Sequence, residues 1–93
     1  MDTTDKNYHD VCPVFKDLGK KWIVMHLPYE ETTIGDRYEM KFRRRGSNDE
    51  YLTHIATLYA DRFTDRNELD IPMDDYNVEE GEWFEIKATK IDK

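Results

Sequence analysis

The sequence predicts a small α+β domain in β-β-α-β order: an antiparallel sheet of three or four strands with one helix across one face. Three observations predict it. Residues Arg37 to Arg44 (RYEMKFRR) and Trp83 to Ile91 (WFEIKATKI) alternate apolar and polar side chains, the period of a strand with one face buried. Leu18 to Tyr29 (LGKKWIVMHLPY) is rich in β-branched and aromatic residues and ends where Pro28 interrupts a ladder. Between them, Ser47 to Arg66 (SNDEYLTHIATLYADRFTDR) spaces Leu52, Ile55, Ala56, Tyr59 and Phe63 by three or four, as on one side of a helix.

Taken in order, Met1 to Asp17 reads as a polar, partly ordered tail whose Val11, Val14 and Phe15 dock on the domain formed by residues 18–93. In the first strand Ile23, Met25 and Leu27 share one face and Trp22, Val24 and His26 the other. Glu30 to Asp36 is a loop with a Gly35-Asp36 turn, and the second strand points Tyr38, Met40 and Phe42 inward. Ser47 and Glu50 match a capping box at the helix start. Asn67 to Glu82 is acidic, without one Lys or Arg, and its interleaved apolar residues suggest a short additional strand. In the last strand Phe84, Ile86 and Ala88 face the core. No internal repeat or low-complexity segment is read.

With 93 residues the chain holds one core. Its single cysteine, Cys12, cannot form an internal disulfide, which fits a reducing, cytoplasmic setting. No apolar run approaches the roughly 20 residues needed to span a bilayer as a helix. Fourteen basic residues stand against 21 acidic ones, a net charge of -7. The imbalance lies downstream: residues 1–45 carry 9 basic and 8 acidic residues, residues 46–93 carry 5 and 13. Such a chain repels polyphosphates and attracts basic surfaces.

No nucleophile-and-base motif, phosphate loop or H-E-x-x-H occurs, so an enzyme is not expected. Glu50 and His54, one helical turn apart, read as a solvated pair. His9 and Cys12 lack further ligands for zinc, and Asp75, Asn77 and Glu79 fall out of register with a calcium loop, so neither metal nor cofactor is expected.

The favoured reading is a small acidic interaction protein, an inhibitor or adaptor. Asp61, Asp65, Glu68, Asp70, Asp74, Asp75, Glu79, Glu80 and Glu82, with Tyr76 as aromatic anchor, would occupy a basic groove of a nucleic-acid-handling protein by imitating rows of phosphates. Phage-encoded proteins that block host restriction offer an analogy of size and charge. The alternative is a single-stranded nucleic-acid-binding module using Trp22, Lys41, Arg43, Arg45, Trp83 and Lys87 on the opposite sheet face. A homodimer buried through that Trp-bearing face is compatible with the first reading.

Overall fold

A computed structural model, describing residues 7–61 and 64–91, overturns the α+β expectation. Among the described residues there are eight strands: β1 (Asn7–Pro13), β2 (Phe15–Asp17), β3 (Lys20–Pro28), β4 (Arg37–Arg44), β5 (Leu52–Thr57), β6 (Tyr59–Ala60), β7 (Arg66–Pro72) and β8 (Trp83–Lys90). They form two antiparallel sheets, ordered β1-β8-β4-β5 and β2-β3-β7-β6. Among the described residues the only helical piece is a single 3₁₀ turn, Tyr29–Glu31, so no helix is long and apolar enough to cross a membrane.

The segment read as a helix supplies β5 and β6 instead. Of its supposed core stripe, Leu52, Ile55 and Tyr59 are exposed, Ala56 is half-buried, and Phe63 lies outside the described residues. The fully buried residue is Leu58, which the helical spacing left out. Local preference explains the change, because Tyr51, Thr53, Ile55, Thr57 and Tyr59 favour strand over helix, and β5 pairs with the open edge of β4. Ser47 Oγ accepts the amide of Asp49 at 3.3 Å, a local turn rather than a helix cap.

The alternations in β3, β4 and β8 do set the core: Ile23, Met25, Leu27, Tyr38, Met40, Phe42, Phe84, Ile86 and Ala88 are buried between the sheets. From β7 come Leu69 and Ile71, and from the following loop Met73 and Val78. Phe42 lies at the centre, edge-on to Tyr76 at 5.6 Å and tilted against Phe84 at 6.3 Å. Residues 7–17 carry the chain through both sheets, β1 against β8 and β2 against β3.

The chain passes between sheets at two corners of the same construction. Val14, between β1 and β2, is buried; its amide donates to Glu82 O and its carbonyl accepts the amide of Gly81, both at 2.8 Å. Leu58, between β5 and β6, is buried; its amide donates to Asp36 O and its carbonyl accepts the amide of Gly35, both at 2.9 Å. Gly35 and Gly81 both have positive φ, 99° and 94°, a conformation glycine adopts without strain.

This correspondence runs through the described residues and shows a structural likeness between the halves where no repeat is read from the sequence. Exchanging β1 to β4 with β5 to β8 maps each sheet order onto itself. The registers agree: Phe15 opposite Trp22 corresponds to Tyr59 opposite Glu68, Cys12 opposite Phe84 to Ala56 opposite Tyr38, and Lys41 faces its own counterpart, Lys87. GDRYEMK (35–41) aligns with GEWFEIK (81–87). In strand order and register the two halves are related by a pseudo-twofold about the Lys41–Lys87 pair. A longer β6–β7 connection is the main difference in length.

Candidate functional site

Core positions are kept alike between the halves: Ile23 and Leu69, Met25 and Ile71, Tyr38 and Phe84, Met40 and Ile86. The halves also differ, in the core at Phe42 and Ala88 and on the outer faces of both sheets, where Arg37 corresponds to Trp83 and Arg43 to Thr89 on the first. On the second sheet, Phe15, Trp22 and Val24 in the first half correspond to Tyr59, Glu68 and Asp70 in the second. On that outward face of the second sheet one half is apolar and the other acidic, so the two halves present different chemistry side by side.

The acidic half is built on β6 and β7, whose period of two turns Asn67, Leu69 and Ile71 inward and Glu68 and Asp70 outward. The Tyr59 hydroxyl contacts Glu68 Oε2 and Asp70 Oδ2. A phenol donates one hydrogen at a time, so holding both carboxylates close calls for a second proton. Asp70 is its seat: burial, then its contact with Glu68, pushes its carboxyl up to about 7. Its Oδ1 is shielded from solvent and has no hydrogen-bond partner among the described residues. Burial and the same two carboxylates raise the Tyr59 phenol, which stays protonated.

Beside this trio, His26 projects from β3. Its Nε2 lies 3.0 Å from Asp61 Oδ2 and 3.7 Å from Glu68 Oε1. The two carboxylate side chains are only 13% and 15% exposed.

The apolar half ends in the β2–β3 hairpin. Leu18 and Gly19 both have positive φ, 53° and 79°, as a two-residue type I′ turn requires. Leucine is a poor choice there, since its Cβ crowds the backbone, and Leu18 is also 95% exposed. Leu18, Phe15 and Trp22 border a groove of about 390 Å³ whose far wall is Tyr59, Glu68 and Asp70. A second cavity of about 480 Å³ opens on the other side of the carboxylates, lined by Tyr29, Asp61, Asp65 and Arg66.

The predicted acidic surface is therefore divided. Asp61, Glu68 and Asp70 converge, with Asp65 next to them. Asp74 accepts the Lys21 amide at 3.1 Å. Glu82 takes the Arg44 guanidinium at 2.7 Å and the Glu79 amide, contacts that hold its carboxyl below the usual range. These two secure the β7–β8 loop, which Lys21 Nζ also ties down through Val78 O at 2.7 Å. Asp75, Glu79 and Glu80 are exposed on that loop, whereas Tyr76 packs against Phe42 and is no free anchor. Sequence reading missed Leu18, Tyr59 and His26 as participants; Leu-Gly between two strand-like runs was the available signal for Leu18.

The alternative nucleic-acid set is split between sheets. Lys41, Arg43, Trp83 and Lys87 lie on the outer side of the first, Arg45 in the turn after β4, and Trp22 on the second. The Arg43 guanidinium sits 4.3 Å and Lys87 Nζ 4.8 Å from the centre of the Tyr51 ring. His9 and Cys12 belong to opposite faces of β1, and burial followed by the nearby Asp10 raises the Cys12 thiol to about 12, leaving it inert.

Against protein-family models, curated proteins and solved structures alike, the chain gives no match, so the functional reading rests on the geometry of the chain itself.

Proposed function

We propose that this chain is a non-enzymatic interaction protein, an inhibitor or adaptor working in the cytoplasm, that grips a basic and partly apolar segment of a partner protein. Leu18 carries the reading. An apolar side chain, almost fully in water and held in a backbone conformation that costs about 1–2 kcal/mol, is a poor choice for folding. It becomes a good one when a partner covers it. Phe15 and Trp22 extend the apolar contact, and the carboxylates across the groove receive Lys or Arg side chains of the same segment. Asp75, Glu79 and Glu80 add acidic charge that speeds encounter with a basic groove, such as those of nucleic-acid-handling proteins.

The test is Leu18→Asn, since asparagine tolerates this turn position. The variant should be more stable than wild type by about 1 kcal/mol in denaturant titration. It should also lose a nuclease-resistant, salt-sensitive partner that wild type captures from lysate. Retention of that partner, both by this variant and by Phe15→Ala, would sink the proposal.

A second reading, single-stranded nucleic acid on the first sheet, is favoured by one observation: Lys41 and Lys87 are direct cross-strand neighbours with Tyr51 and exposed Trp83 nearby. Like charges so placed repel unless an anion lies over them. Oligonucleotide anisotropy with Lys87→Glu tests it: weaker binding by the variant supports this reading, and unchanged binding removes it.

A further inference from the structure

We propose that His26, Asp61 and Glu68 form a site for one divalent transition-metal ion, with Zn²⁺ the best match to one imidazole and two carboxylates. The residues come from three places in the fold: the middle of β3, the residue after β6, and β7. Their donor atoms all lie within 4.8 Å of one another. Four-coordinate zinc with bonds of 2.0–2.1 Å sets its ligand atoms about 3.3 Å apart. The observed separations of 3.0 and 3.7 Å from His26 Nε2 bracket that value, and the set as a whole spans no more than 4.8 Å, so the three donors can close on one ion.

The surroundings suit a cation. Among the described residues neither Glu68 nor Asp70 forms an ion pair with Lys or Arg. Asp70 is joined to Glu68 through Tyr59 and retains a shielded oxygen without a partner among the described residues, an acceptor placed to support a ligand from behind. Asp61 lines one cavity and Glu68 the other, which leaves an open position for water or an incoming ligand. His26 is 33% exposed, so the ion has a route from solvent.

The likeness of the halves determines the stoichiometry. The counterparts of His26, Asp61 and Glu68 in the other half are Pro72, Asp17 and Trp22, a set that supplies one ligand only. One ion per chain is expected, not two.

The experiment is calorimetric titration of the metal-free, full-length protein with Zn²⁺, paired with the visible spectrum of the Co²⁺ form. Wild type should bind one equivalent and give the intense visible bands of four-coordinate Co²⁺. His26→Ala and the near-isosteric Glu68→Gln should each bind about 10-fold or more weakly and lose those bands, whereas His54→Ala should behave as wild type. Circular dichroism confirms that each variant is folded, and with two ligand variants one misfolded protein does not decide the matter. Failure of wild type to bind either ion would overturn the proposal, as would equal binding by both folded ligand variants. No partner protein enters the titration, so its outcome is independent of the proposed docking function.

Discussion

Asp70 controls how much negative charge the acidic face carries. Its carboxyl is raised to about 7 by burial and by Glu68, so from the ordinary carboxylate range up to about pH 7 the folded chain keeps a proton that the unfolded chain has released. Stability contributed by this group is fully present below the ordinary carboxylate range and is lost progressively as pH rises through about 7. The thermal midpoint should therefore be higher near pH 5.5 than near pH 8. Asp70→Asn, which keeps the shape and removes the titration, should flatten that difference and raise the midpoint at the alkaline end. A wild-type midpoint that rises with pH across this interval would contradict the assignment. The acidity of the segment was plain from the residues. That Tyr59 clamps Glu68 and Asp70 was not, because the contact depends on the β6–β7 register, which the sequence does not display.

At the scale of the element, β5 and β6 separate what was legible from what was not. The period of two in β3, β4 and β8 identified their buried faces correctly, since a half-buried strand has no other way to satisfy both sides. In the stretch from Leu52 to Tyr59 two periods compete: spacing by three and four selects Ile55, and the bend between short strands selects Leu58. A helix would bury Ile55, whereas the corner buries Leu58 and leaves Ile55 51% exposed. Leu58→Ala should accordingly cost about 2–5 kcal/mol in chemical denaturation, and Ile55→Ala only about 0.5 kcal/mol. The reverse order would restore the helix. Competition between short-range patterns was settled by long-range partners, the carbonyl of Asp36 and the amide of Gly35 offered to Leu58.

At the scale of the whole molecule, the likeness of the halves was written in few residues. Asp17 and Asp61, Gly35 and Gly81, Glu39 and Glu85, and Lys41 and Lys87 are identical pairs; at most buried positions the likeness is one of apolar character alone, and outward positions such as Trp22 and Glu68 differ outright. The halves are interlaced rather than adjacent. Both partners of β4 lie in the second half, and both partners of β8 in the first. Fragments 1–46 and 47–93 should each remain largely unfolded alone, yet co-purify and recover the wild-type circular dichroism when expressed together. A folded single fragment would argue against the interlacing. The pairing of Asn7 with Thr89 has a further consequence during synthesis. On the ribosome, β1 and β4 emerge with apolar faces and wait for β8, so the sheets close only after nearly the whole described chain has been made, and the nascent protein must stay soluble until then.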